Sequence, residues 1–150
     1  MSEEKDISAI AATLPIHEMI EKAFDMLKYS YTPYSHWKVG AALLSEKGKI
    51  WGGCNIENAA ATPCNCAERT AIFKAISEGD TKFKAIAVVG GHEGNVKDFC
   101  SPCGVCRQVM MEFCEPEKFI IISAKSLSEY KIQTLKELLP DGFGPATLAG

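Results

Sequence analysis

Strands alternating with helices, after an opening hairpin, predict an α/β fold: three layers, with a mixed five-stranded sheet between helices. Three observations carry this. Strand-length apolar runs recur along the chain, two helical patterns each follow a strand and a loop, and Ala85-Ile86-Ala87-Val88-Val89 has no polar face. A strand without a polar face is buried on both sides, so helices must cover both faces of the sheet.

Taken in order, residues 1–13 read as a loosely held lead-in, and residues 14–150 as a single domain without linker or repeat. Pro15 opens a helix, with Ile16, Met19, Ile20, Ala23, Phe24 and Leu27 recurring on one face. Tyr31-Thr32-Pro33-Tyr34-Ser35 breaks it. Trp37 to Leu44 is a strand, Ser45-Glu46-Lys47-Gly48 a tight turn and Lys49 to Ile56 the returning strand. After a turn-rich stretch, Ala67 to Glu78 forms a helix that stops at Gly79. Phe83 to Val89 is a strand ended by Gly90-Gly91, Gly104 to Cys114 a helix and Phe119 to Ser123 a strand. Tyr130 to Thr134 is a short edge strand, and Thr134 to Leu139 a last short helix before Pro140.

At 150 residues the chain is long enough to bury a core. A net charge of -3 supplies no bulk attraction to phosphate backbones or anionic membranes, which argues against a nucleic-acid or membrane partner. No apolar run reaches spanning length, and the polar start Met1-Ser2-Glu3-Glu4-Lys5-Asp6 lacks the apolar region of a secretory signal. Seven cysteines, an odd number, fit a disulfide framework poorly and suit a reducing, cytoplasmic compartment.

The chemistry centres on Cys66-Ala67-Glu68 and Pro102-Cys103-Gly104-Val105-Cys106. Three thiols can hold one zinc ion and leave its fourth tetrahedral position for water, which separates a catalytic zinc from a closed structural one. The order of these residues is similar to the signature of zinc deaminases, in which a glutamate that is not a ligand moves protons. Both cysteine motifs fall at helix starts, where the helix dipole stabilises negative charge and lowers thiol pKa. Arg69 is placed to donate hydrogen bonds to the thiolates from outside the ligand set. The register stays open at this point, because Cys100, Cys103 and Cys106 recur every three residues; Pro102 and the helix start favour Cys103 with Cys106. Cys64 poses the same question beside Cys66. Cys54 and Cys114 read as small buried hydrophobes, and His17, His36 and His92 lack ligand spacing.

From about Phe24 to Leu148 the chain resembles the small, free-nucleoside cytidine deaminases. The resemblance rests on Tyr31-Thr32-Pro33-Tyr34-Ser35 with Val39-Gly40-Ala41-Ala42, on Gly53 to Ala60, on Asn65 to Ala71, on Ser101 to Gln108 and on Glu137 to Pro140. It implies a cytidine deaminase-like fold and hydrolytic deamination of cytidine and 2′-deoxycytidine in pyrimidine salvage. It also implies Cys66, Cys103 and Cys106 as zinc ligands, Glu68 as proton shuttle, and Asn55 with Glu57 on the ribose 3′-hydroxyl. By the same resemblance, the Ala67 amide faces the base oxygen and the Ser101 carbonyl faces the leaving amine. Phe24 and Trp37 would pack near the base, and Phe143 would be lent to a neighbour within a homotetramer. Core packing is the competing reading for these three aromatics, and a solvated strand end for Asn55 and Glu57.

Two residues depart from the family pattern. Ala61 stands where an aromatic usually follows, and Trp37 where most relatives have Phe. Either Trp37 fills the space of the missing ring, or the pocket is wider. Other readings remain distinct: an antibiotic or polynucleotide deaminase on the same centre, a zinc-stabilised module closed by Cys64 or Cys100, and a dithiol redox protein.

Overall fold

The computed structural model describes residues 2–149. Five strands form one sheet in the order β2-β1-β3-β4-β5: β1 Trp37–Ser45, β2 Ile50–Cys54, β3 Phe83–His92, β4 Ile120–Ala124 and β5 Tyr130–Thr134. β3 and β4 are parallel and every other pair is antiparallel, so the sheet is mixed. The helices are α1 Ser2–Ala12, α2 Ile16–Met26, α3 Ala67–Ser77, α4 Gly104–Phe113, α5 Leu135–Leu138 and α6 Pro145–Ala149. None is long and apolar enough to cross a membrane among the described residues.

Strand alternation divides the core into two layers. Ala41, Leu43, Ile86, Val88 and Ile121 pack with Ala71 and Ile72 of α3 and Met110 of α4. Ala42, Leu44, Ala85, Ala87 and Ile122 pack on the opposite face with Met19, Ile20 and Ala23 of α2. Burial on both faces is what the polar-free run from Ala85 to Val89 within β3 requires. The three-layer arrangement with a mixed five-stranded sheet is therefore the one expected.

Three elements differ from the sequence reading. Residues 1–13, expected as a loose lead-in, contain α1, whose Ile7 and Ile10 pack partly buried against the second core layer. Two apolar contacts three residues apart are too little to announce a helix by themselves, and tertiary packing supplies the rest. Gly90 and Gly91 do not end β3 but continue it, paired with Val39 and Lys38 of β1. A Cβ on Gly91 would sit 2.0 Å from the Asn95 carbonyl oxygen, so the glycine answers the close approach of the turn that follows the strand, which the Gly94 N–H closes on the Gly91 carbonyl at 3.1 Å. The short C-terminal α6 has no counterpart in the sequence reading.

Smaller signals hold. Gly79 has φ +87° just beyond α3. Thr134 caps α5 reciprocally with Glu137, each side chain engaging the other's backbone N–H.

Candidate active site

Cys66 is the residue before α3 and Cys103 the residue before α4, each in extended conformation, and Cys106 lies in the first turn of α4. The Sγ atoms of Cys66 and Cys103 are 3.6 Å apart, as are those of Cys103 and Cys106, and all three lie within 4.8 Å of one another. A tetrahedral zinc with sulfur bonds of about 2.3 Å has sulfur–sulfur edges of about 3.8 Å, so these three residues fit that ion. They are the one group of potential ligands among the described residues. Cys64 is outside it, with its sulfur accepting from the Asn58 N–H at 3.3 Å. Cys100 is outside it too, packed against the first core layer, where burial pushes its thiol up to about 11. A closed four-thiol centre thus lacks its fourth ligand here. His17, His36 and His92 are all exposed and away from the group.

Electrostatics favour a thiolate at Cys66, while its hydrogen bond with Cys106 and burial push the Cys106 thiol up. The hydrogen bond with Cys106 pulls the Cys66 thiol down to about 5, helped by Arg69 and Cys103. Arg69 Nη2 donates to Cys66 Sγ at 3.3 Å, which offsets negative charge from outside the ligand set. Two helix N-termini converge on the same sulfurs and act in the same direction.

Glu68 follows Cys66 by two residues and is 3% exposed. Burial raises its carboxyl to about 7. It is a buried carboxyl beside the sulfurs, not the solvated helix residue that its position in a polar-looking turn allows. Ala67, fully buried, opens α3, so its N–H has no partner within the helix.

Asn55 and Glu57 lie just past β2, and backbone pairing ties them to both flanks. Tyr31 N–H donates to the Asn55 carbonyl at 3.0 Å and Glu57 N–H to the Tyr31 carbonyl at 2.8 Å. Between them, Ile56 and Asn65 exchange two bonds of 2.9 Å, which holds this segment beside Cys66. Neither side chain is merely solvated. Asn55 Oδ1 accepts from the Val39 N–H at 2.9 Å and from the Ser30 hydroxyl, while Nδ2 donates to the Trp37 carbonyl at 2.8 Å. Glu57 Oε1 accepts from the N–H groups of Tyr34 at 3.0 Å and Ser35 at 3.1 Å, and Oε2 from the Ser35 hydroxyl.

The remaining residues divide. Trp37, 45% exposed, starts β1 next to Asn55. Ser101 is exposed two residues before Cys103. Phe143 is 56% exposed, and its carbonyl accepts from Gln108 Nε2 at 3.1 Å. Phe24 is not brought to the site. It packs, half-buried, against the core layer that α2 covers, on the other face of the sheet from Cys66 and Cys106. The resemblance marked it as a site candidate; the helical periodicity that places it on a buried face of α2 is core periodicity.

Arg107 was not singled out by sequence. Its Nε donates to the Pro102 carbonyl at 2.7 Å and its Nη1 to the Leu138 carbonyl at 2.6 Å, which fixes the turn that carries Cys103. The only sequence signal is its place directly after Cys106.

A cleft of about 630 Å³ is walled by Asn55, Glu57, Ala61, Cys64, Cys66 and Arg69 among others. A cavity of similar size, about 650 Å³, lies at the other end of the sheet, between α1 and Phe83, Phe113 and Phe119, far from the sulfurs in the fold. We assign the chemistry to the cleft that adjoins the thiols. Ala61→Tyr is expected to narrow it, lowering kcat/KM for bulky cytidine analogues more than for cytidine; equal values for both across wild type and variant would show that Ala61 sets no limit.

Known proteins match this geometry. Residues 15–123 match the family described as cytidine and deoxycytidylate deaminase zinc-binding region. The cytidine deaminase of Sporosarcina psychrophila is 43% identical over 136 residues, covering 91% of this chain and 96% of that protein. That of Halalkalibacterium halodurans is 44% identical over 125 residues, covering 83% and 91%. The crystal structure of cytidine deaminase from Burkholderia pseudomallei superposes with a TM-score of 0.77 at 43% identity, over 85% of this chain and 98% of that one.

Proposed function

The chain belongs to the cytidine and deoxycytidylate deaminase family, and from that premise we propose how its own residues carry out hydrolytic deamination of cytidine and 2′-deoxycytidine. The observation that carries the reading is a three-thiol group with a buried carboxyl two residues from its first member. Cys66, Cys103 and Cys106 would hold zinc, which when bound supplies Lewis acidity that brings the pKa of water towards ~7.

Glu68 takes a proton from the attacking water and delivers it to the ring nitrogen next to carbon 4. It then takes the second proton, from the hydroxyl newly bonded to carbon 4, and passes it to the amine as the C–N bond breaks and the carbonyl forms, so that cytidine and water become uridine and ammonia. Its burial keeps bulk water from competing for that proton. The Ala67 N–H receives the base oxygen, and the Ser101 carbonyl receives the amine. Asn55 and Glu57 bind a sugar hydroxyl: one amide N–H and one carboxylate lone pair remain after their internal bonds, which is what a single hydroxyl needs. Trp37 stands beside that pair and stacks near the base. Orientation by these contacts lowers the entropic part of the barrier.

Phe143, exposed on its own subunit, would complete a neighbour's pocket in a homotetramer. All seven cysteines are free, which suits a reducing cytoplasm. Residues 14–150 form the catalytic domain in this reading, and pyrimidine salvage is the role.

The direct test follows ultraviolet absorbance as purified protein meets cytidine, 2′-deoxycytidine and free cytosine. Turnover of both nucleosides without turnover of cytosine supports the reaction and its need for a sugar. Turnover of cytosine at the same rate would remove the sugar grip, and no turnover by zinc-replete protein would remove the reaction.

A further inference from the structure

Asn55 and Glu57 are set from behind by two hydroxyls to which nothing has assigned a role. The Ser30 hydroxyl meets Asn55 Oδ1, and Ser30 is 8% exposed, a buried polar group whose side chain is directed at a residue 25 positions away. The Ser35 hydroxyl meets Glu57 Oε2. Its direction is determined, because Ser35 Oγ already accepts from the Trp37 N–H at 3.0 Å and so has its own proton to donate.

We propose that Ser35 and Ser30 are positioning residues that make Asn55 and Glu57 selective for a sugar hydroxyl. This rests on the assignment of that pair to the sugar. The two serines determine what the pair has left to offer. An ionised carboxylate has about four acceptor sites. In Glu57 two N–H groups fill Oε1 and Ser35 takes one site on Oε2. The Asn55 amide is oriented the same way: Val39 N–H and Ser30 occupy Oδ1, and the Trp37 carbonyl takes one proton of Nδ2. One donor and one acceptor remain. Without Ser35 the carboxylate can rotate about the two N–H bonds on Oε1, and Oε2 loses its fixed direction. The lowered pKa of Glu57 has the Ser35 hydroxyl as its first cause, which agrees with a carboxylate held ionised by this contact.

The test measures kcat/KM for 2′-deoxycytidine and for 2′,3′-dideoxycytidine, which lacks the 3′-hydroxyl, in wild type, Ser35→Ala, Ser35→Thr, Ser30→Ala and Glu57→Gln. Zinc content and melting temperature are followed in each. In Ser35→Ala the preference for the hydroxylated substrate is expected to fall about tenfold, chiefly through KM, the size of effect of a lost charge-assisted hydrogen bond. The dideoxy substrate should change by less than about twofold, because it makes no use of the bond. Ser30→Ala is expected to lose about threefold, since Val39 and Trp37 still hold Asn55, and Ser35→Thr, which keeps the hydroxyl, should retain the preference. An equal fall for both substrates in Ser35→Ala would overturn the proposal, because that is loop collapse. So would an unchanged preference in the serine variants while Glu57→Gln loses it, in which case the sugar assignment survives. If Glu57→Gln keeps its preference, the sugar assignment itself fails. Should Ser35→Ala not fold, Ser30→Ala and Ser35→Thr decide the same question.

Discussion

Glu68→Gln is expected to abolish turnover of cytidine while zinc stays bound. The substitution keeps the size of a side chain that is 3% exposed and leaves all three sulfurs untouched. What it removes is the capacity to take a proton and return it, and general acid–base groups are worth about 10²–10⁴ in rate. The upper part of that range is expected here, because one carboxyl serves the water, the ring nitrogen and the amine in turn. Substrate binding should persist, since Asn55 and Glu57 are unaltered and anchored through Tyr31, Tyr34 and Ser35. The measurement is kcat by absorbance with zinc determined in parallel. Retention of more than about one per cent of wild-type kcat in zinc-replete protein would assign the proton transfers elsewhere.

Gly53→Ala is expected to damage stability and activity together, although Gly53 touches neither metal nor substrate. The α3 backbone comes so close to β2 here that a Cβ would lie 2.4 Å from the Ala67 carbonyl oxygen and 2.6 Å from the Ala71 nitrogen. Both obstacles are backbone, so no side chain can turn aside. Either α3 lifts from the sheet or β2 bends. Overpacking of this kind costs about 1–3 kcal/mol, and more where nothing yields. Lifting α3 also moves its first turn, which holds Cys66 just before it and Glu68 within it. Weaker zinc retention during dialysis against a chelator should therefore accompany a melting point lowered by several degrees. A variant with unchanged melting temperature and full activity would show that the approach can relax at no cost.

The same glycine separates what local sequence reveals from what it hides. Gly53 is visible in a family-like run, but the reason for it is a helix that starts 14 residues later. The β-strands were legible because alternation and apolar runs depend only on neighbours; β5 occupies Tyr130–Thr134, as its β-branched and aromatic pattern predicts. The extent of β3 was not, because Gly90 and Gly91 resemble a turn until β1 is seen beside them. α1 was hidden for a related reason: Ile7 and Ile10 become a helix face only when a sheet layer lies beneath them. Phe24 shows the opposite error: the resemblance placed it near the base, while its helical stripe already pointed to the core face on which it packs.

The sequence by itself determined the order of the five strands and the carboxyl two residues past Cys66, because residue type and short spacing carry these; Asn55 and Glu57 entered through the family resemblance, and spacing alone left Cys100 open beside Cys103 and Cys106. Only the tertiary structure decided that Cys100 and Cys64 stay outside the ligand group, that Glu68 is buried, that Phe24 is core, and that Ser30 and Ser35 stand behind Asn55 and Glu57. These depend on distances between segments some 20 to 40 residues apart, such as Ser35 to Glu57 and Cys66 to Cys103. Spacing along a chain constrains direction within one helix or strand; it carries no information about which atoms a turn, a register and a packed face bring within bonding distance.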